Sequence, residues 1–459
     1  MESENKRPAR SPRLRLSLPR LSLRRALSAF LAAALLISTP AWAQPQRSAA
    51  SVVPSSAIIV ILDDVSSFDL ALYGGPVAMP RLEQLAARGV TFDNAYGMPT
   101  CAPARRSLLT GHWWISESGD PCGPAVPGTP LLSEVFLPEA LPSHQSAIFG
   151  KWHIGASPTG GPVGCAPLSH GFSYWISGLP SNVTQCGGTN YWAWTRADSS
   201  TCSLALDTGY APQASASTFR AGWLGSSGPR LAVVGASLPH GPMHVPPPEL
   251  LPVGYPTPVS AREKYEAMLR AQDTLLGQML AGISLEDTII IVLGDNGTPT
   301  NVAPDSDKAK TTVFERGVRV PLIIAGGPAV PGLRSAALVH CIDVYATIVD
   351  ALGSTVPIAS GPWPVASVSL VPLLAGGALP PRDMALLGDG WGIDGGERGA
   401  VSSAGLKLRQ LDDDGDEIPD LEQLFDLTSD PLEAVDVSSD PARTGDLADL
   451  RAFVDAATP

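Results

Sequence analysis

The chain has 459 residues, 44% of them hydrophobic and 16% charged, with 31 Lys and Arg against 44 Asp and Glu for a formal net charge of −13. That composition excludes a disordered chain and leaves room for one large domain, or a large and a small one. The acidic balance excludes binding nucleic acid or an anionic membrane through the overall field.

The first elements read as an export signal. Met1 to Arg25 is rich in arginine, Ala26 to Ile37 is an unbroken apolar run, and Ala41-Trp42-Ala43 has the small-x-small form of a cleavage site. The run is too short for a membrane anchor, so residues 1–43 are expected to be a signal peptide and the protein secreted or periplasmic. This segment holds eight of the 31 bases and two of the 44 acids. Its removal leaves 23 bases against 42 acids, a formal charge of −19, so an anionic substrate would need a local cluster of cations. Residues 44–56 are polar and contain Pro and Ser, as a flexible linker does.

From Ala57 the pattern alternates. Ala57 to Leu62 is a wholly apolar run, as expected of a strand buried on both faces. Pro80 to Arg88 reads as a helix with Pro in its first turn and Gly89 as its stop. Ser146 to Phe149, Leu231 to Ala236, Thr288 to Leu293 and Val320 to Ile324 read as further strands. Ala261 to Leu280 and Val344 to Leu352 carry apolar residues at helical spacing. Such alternation predicts an α/β domain with a mostly parallel sheet over residues 57–375. From about Gly376 two strand-like runs, Leu406 to Leu411 and Gln423 to Leu427, flank an acidic turn, which predicts a smaller α+β subdomain over residues 376–459.

Ionisable residues follow four of the strands. Asp63 and Asp64 follow the first, Lys151 and His153 the second, His240 and His244 the third, and Asp295 and Asn296 the fourth. In open α/β sheets the carboxyl ends of the strands are where ligands bind. Asp63, Asp64, Asp295 and Asn296 offer oxygen donors only, which suits Ca2+, with Mg2+ or Mn2+ as alternatives, rather than zinc or copper. Arg105, Lys151, His153, His240 and Lys310 form a cationic set able to hold a tetrahedral oxyanion.

Cys101-Ala102-Pro103-Ala104-Arg105, followed by Leu109-Thr110-Gly111, resembles the C-x-P-x-R signature of the formylglycine-dependent (type I) sulfatases. The likeness extends to the Asp63-Asp64 pair, GKWHIG, LPHGP, LGDNG, KTTVFERGVRVPLII and QLFDLTSDPLE. It implies the alkaline-phosphatase-like fold and hydrolysis of sulfate esters of small molecules or glycans. It also implies that a maturation enzyme oxidises Cys101 to formylglycine (3-oxoalanine). The metal ligands would be Asp63, Asp64, residue 101, Asp295 and Asn296. The hydrated aldehyde would attack sulfur, steadied by Arg105. Lys151, Lys310 and His240 would hold the sulfate, His240 would assist departure of the alcohol, and His153 would deprotonate the second hydroxyl to release sulfate.

Two positions depart from the family pattern: Ala104 stands where Ser is usual, and His112 follows Gly111 in place of arginine. His112, His144 and His244 have no counterpart there. A phosphonate or phosphate ester hydrolase on the same scaffold, and an anion-binding relative without turnover, are the competing expectations.

Smaller features leave alternatives open. Cys186 and Cys202 flank a short loop and are the expected disulfide. Asn190 to Trp194 (NYWAW) suits a stacking wall for a sugar or aryl ring, or aromatics that pack a long loop. Asn182-Val183-Thr184 is a glycosylation sequon, and Asp412 to Glu417 reads as a solvated acidic turn.

Overall fold

The computed structural model describes residues 53–113, 134–155, 162–357, 365–377, 382–388, 396–415 and 418–457. The expected signal peptide and most of the linker lie outside the described residues. The main sheet contains β1 (Ser56–Leu62), β2 (Gly89–Tyr96), β3 (Gln145–Lys151), β4 (Tyr174–Leu179), β5 (Ala193–Asp198), β6 (Ser203–Thr208), β7 (Arg230–Gly235), β8 (Thr288–Gly294), β9 (Leu322–Ala325) and β10 (Leu333–His340). Their spatial order is β10-β2-β9-β8-β1-β7-β3-β4-β5-β6. The centre, β8-β1-β7-β3-β4, is parallel, while β9, β5 and β6 pair antiparallel to their neighbours. Expectation and structure agree on a mostly parallel sheet flanked by helices.

The apolar run of β1 divides its side chains between two cores. Ala57, Ile59 and Ile61 pack with the helices Cys101–Thr110 and Asp343–Ala351. Ile58, Val60 and Leu62 pack with Pro80–Ala86, Ala211–Gly225 and Ala261–Leu280. All six are essentially unexposed, and burying each of the five Ile, Val and Leu side chains stabilises the fold by roughly 1.5–3 kcal/mol. Ser260 and Glu263 form a capping box that starts the 20-residue helix Ala261–Leu280.

A second, antiparallel sheet comprises β11 (Met384–Gly388), β12 (Gly396–Ser402), β13 (Leu406–Asp412) and β14 (Leu421–Asp426), with β13 and β14 forming the expected hairpin. The helix Thr444–Ala457 covers one face. Ala385, Leu387 and Val401 on the other side pack with Tyr96, Val313 and Val318 of the main body. In the acidic turn Asp412 is buried, and its carboxylate accepts the backbone N–H groups of Asp414 and Gly415.

One expectation is corrected. Cys202 bonds Cys165, not Cys186. The turn between β5 and β6 folds onto the 3-10 helix Val163–His170, so closely that a Cβ on Gly164 would lie 2.6 Å from the Cys202 carbonyl carbon. Cys186 is itself disulfide-bonded, while Cys101 and Cys341 are free and buried.

Candidate active site

Sheet order explains why distant residues meet. β8, β1, β7 and β3 are consecutive neighbours running the same way, so the residues that follow them emerge at one edge. β2 joins through two antiparallel steps across β9 and therefore ends at the same edge, where the helix Cys101–Thr110 begins. Cys101 is its first residue, and Pro103 sits in the first turn, where a missing N–H costs no helical bond. Arg105, one turn on, shares the face of Cys101, whereas Arg106 turns away to Glu134.

Three carboxylates and three cations interlock. Lys151 Nζ donates to Asp63 Oδ2 at 2.7 Å and lies 3.6 Å from Cys101 Sγ. Lys310 Nζ donates to Asp64 Oδ1 at 2.5 Å and lies 3.5 Å from the same sulfur. Arg105 Nε donates to Asp295 Oδ2 at 2.9 Å, and its Nη1 to the Lys151 carbonyl at 3.0 Å. Asp295 Oδ1 accepts the backbone N–H groups of Asp64 and Asn296. Asp295 therefore has both oxygens engaged and orients its neighbours. His240 Nε2 stands 3.7 Å from Asp64 Oδ2, and His240 Nδ1 donates to Gly241 O at 2.8 Å.

Local backbone geometry aims these groups. Asp64 has φ 70°, a left-handed conformation that Asp tolerates better than most residues. A register shift between Phe149 and Lys151 against β4 turns Lys151 inward at the strand end. Lys310 is pinned because its N–H bonds Thr298 O while the Thr311 N–H bonds Pro99 O, two residues before Cys101.

Burial and charge set the protonation states. Burial would raise the Asp63 carboxyl, but Lys151, His240, Arg105 and Lys310 outweigh it and hold it below the usual carboxylate range. Burial raises Asp295, partly offset by Arg105. Burial also pushes the Cys101 thiol up despite the pull of Lys151 and Lys310, so it is not a thiolate at neutral pH. His153 is held well below its usual value by burial and by Lys151 and Arg105, which makes it a neutral imidazole.

The donor set fits a metal ion. Ligand atoms of Asp63, Asp64, Cys101 and His240 lie within 4.8 Å of one another. Asp63 Oδ1 and Asn296 Oδ1 are buried yet accept no hydrogen bond, an arrangement that costs stability unless something else occupies them.

Sequence reasoning overlooked Asn182, Tyr191 and Gly235. Asn182 Oδ1 accepts from Lys151 Nζ at 2.7 Å, so its side chain is engaged inside the site rather than offered as a sequon. Tyr191 Oη lies 2.6 Å from His240 O. A Cβ on Gly235 would stand 2.0 Å from Lys151 O and 2.8 Å from Arg105 Nη1. Only the NYWAW aromatics gave any local signal, for Tyr191. Of the other histidines, His144 lies before β3, at the opposite edge, and His112 is buried just past the end of the helix Cys101–Thr110.

Buried carboxylates and cations converging at the carboxyl edge of a parallel sheet form a site suited to an anionic ligand. A family model described as Sulfatase matches residues 55–354, and the chain belongs to that family, the sulfatases of the alkaline phosphatase superfamily, as a sulfuric ester hydrolase. Arylsulfatase A of Bos taurus is 27% identical over 366 residues, covering 72% of this chain and 70% of that protein. A sulfatase of Pseudoalteromonas sp. shares the fold with a TM-score of 0.69 at 21% identity, covering 88% of this chain and 89% of that one. The phosphonate monoester hydrolase of Agrobacterium radiobacter does so with a TM-score of 0.64 at 19% identity, covering 88% and 95%.

Proposed function

We propose that this protein is an exported, calcium-dependent sulfatase that uses formylglycine at position 101. The observation carrying the reading is the setting of Cys101. Its thiol is buried and protonated at a helix N-terminus, 3.6 and 3.5 Å from two ammonium groups. A thiol so held is a poor nucleophile, whereas its surroundings suit an oxygen nucleophile facing an anion.

Asp63, Asp64, Asp295 and Asn296, with residue 101, would hold the metal. A bound divalent ion supplies Lewis-acid stabilisation of the sulfate oxygens. With three carboxylates balanced by Arg105, Lys151 and Lys310, it also makes the site net positive toward its substrate. Formylglycine, as its hydrate, would supply one hydroxyl for attack at sulfur and a second whose deprotonation would release sulfate.

The remaining work falls to residues present in the chain. Lys151 and Lys310 bind sulfate oxygens, and Asn182 keeps the Lys151 ammonium aimed. Arg105 keeps Asp295 and the start of the nucleophile helix in register. His153, neutral and with an unpartnered Nδ1, accepts the proton from residue 101. His240, whose Nδ1–H is held by Gly241 O, uses Nε2 to protonate the departing alcohol. Among the described residues no helix is long and apolar enough to cross a membrane. The arginine-rich, apolar leader at residues 1–43 supports export.

The test is peptide mass spectrometry of residue 101 in protein from a host able to mature sulfatases, with hydrolysis of 4-nitrophenyl sulfate. Sulfur replaced by carbonyl oxygen, together with turnover that Cys101→Ser abolishes, is the expected result. An intact thiol in an active enzyme would overturn the formylglycine reading. Faster hydrolysis of phenyl phosphonate esters than of the sulfate would favour the rival reaction.

A further inference from the structure

The turns after β1 and β8, which carry the expected metal ligands, are joined by a carboxylate that is not itself a candidate ligand. Asp69 ends the 3-10 helix Ser67–Asp69, just past Asp64 in the chain, and is fully buried. It stands outside the ligand cluster of Asp63, Asp64, Cys101 and His240. Thr298 Oγ1, on the turn that begins with Asp295 and Asn296, donates to Asp69 Oδ2 at 2.7 Å. The Tyr265 hydroxyl donates between that same oxygen, at 2.8 Å, and the carbonyl of Asp64, at 2.9 Å. Arg262 Nη1 donates to Asp69 Oδ1 at 2.8 Å from the partly exposed side.

A buried carboxylate is costly unless donors surround it, and two of these donors have a second attachment in the site. Tyr265 reaches the peptide of Asp64, whose backbone is held in the left-handed region at φ 70°. Thr298 O accepts the Lys310 N–H at 2.8 Å, so the same residue anchors the lysine that faces Cys101. The two turns also meet directly, the Val65 N–H donating to Asn296 O at 2.9 Å. Tyr265 and Arg262 belong to the helix Ala261–Leu280, which packs on β1 through the core that holds Ile58, Val60 and Leu62.

We infer that Asp69 is a positioning residue. Through Tyr265 and Thr298 it sets the spacing between the Asp64 turn and the Asp295–Asn296 turn, and so the affinity of the site for its cation. The inference rests on the metal reading above. Groups that orient metal ligands commonly carry about 10–100-fold of metal affinity.

Calorimetric titration of EDTA-stripped protein with Ca2+, Mg2+ and Mn2+ tests it. Asp69→Asn replaces one acceptor by an N–H donor and should weaken binding of the tightest ion by about 10–100-fold. Tyr265→Phe and Thr298→Val leave the carboxylate in place, guard against a folding defect, and should each weaken binding by about tenfold. Thr298→Ser keeps the hydroxyl and should bind as the wild type does. A purely structural role would lower the unfolding temperature in EDTA and leave the dissociation constants where they are. Unchanged constants in Asp69→Asn, or in both Tyr265→Phe and Thr298→Val, would therefore overturn the inference. Equal losses in Thr298→Ser and Thr298→Val would do the same, since packing rather than the hydroxyl would then be at work. A wild type that binds none of the three ions would refute the metal reading itself, and this role with it. Variant-dependent binding by a protein that hydrolyses no 4-nitrophenyl sulfate would keep the role and refute the sulfatase reading instead.

Discussion

Lys151 Nζ and Asp63 Oδ2, carried by β3 and by the end of β1, meet at 2.7 Å with both side chains almost wholly buried. Removing one partner of a buried pair strands the other charge, at a cost of about 3–5 kcal/mol. Lys151→Met should therefore lower the thermal unfolding temperature in EDTA. If Asp63 is a metal ligand, Ca2+ should recover much of that loss and stabilise the wild type as well, by ~2.7 kcal/mol at a hundredfold excess over Kd. Identical melting curves with Ca2+ and with EDTA, in both proteins, would remove Asp63 from the metal site.

The second sheet reaches into the main body through Lys407, whose side chain is fully buried between Glu315 and Glu433 at 3.0 and 2.9 Å. Burial would raise the Glu315 carboxyl, but Lys407 and Arg319 bring it below its usual range. Five residues before Glu315, on the same segment, is Lys310. Lys407→Ala should thus destabilise the protein by about 3–5 kcal/mol and loosen substrate binding, seen as a higher KM in the protein that remains folded. A urea midpoint within 0.5 M of the wild type would mean that the network contributes little.

Acid stability should be set in part by histidines buried as neutral rings. Burial holds His340 down at about 3, and burial likewise holds His170 at about 4. Unfolded, each takes up a proton near pH 6.5, while the folded protein refuses it until much lower pH. Folding stability is therefore lost as pH falls below 6.5, by up to about 1.4 kcal/mol per pH unit for each histidine, until the folded value is reached. His340 has little alternative, since Nε2–H donates to Gly97 O while Nδ1 accepts the Ile342 N–H. In urea titrations at pH 7 and pH 5, His340→Gln should show a smaller difference than the wild type. An unchanged difference would count against this assignment.

The legible part of the fold was the centre of the sheet. β1, β3, β7 and β8 are buried on both faces, so they read as short apolar runs, and the chemistry-bearing residues sit directly after them. β10 escaped that pattern because its first five residues are only partly buried or exposed and include Arg334 and Ser335, and β6 because nearly all its residues face solvent. The Cys165–Cys202 bridge and the Asn182–Lys151 contact depend on loop paths that no local periodicity encodes. Lys407 looked like an ordinary strand residue, since its burial is decided by the packing of one sheet on another.

The backbone at Gly235 sets how closely β7 and β3 approach behind the site. A methyl group there would stand 2.0 Å from the Lys151 carbonyl oxygen and 2.8 Å from Arg105 Nη1. The first contact is with backbone, which cannot swing aside as a flexible side chain can. The Arg105 Nη1 bond to that carbonyl, 3.0 Å long, would have to break or the end of β3 would have to shift. Either outcome moves Lys151, which must aim at both Asp63 and the sulfate. Gly235→Ala should accordingly reduce kcat on 4-nitrophenyl sulfate by about a hundredfold, as misplacement by an ångström can, and destabilise the fold by about 1–3 kcal/mol. Gly222→Ala is the control, because its added carbon meets only the Phe149 ring at 3.4 Å and lies in the helix Ala211–Gly225, away from the sheet edge. If the two variants proved equally active, the close approach at Gly235 would have no part in holding Lys151 and Arg105.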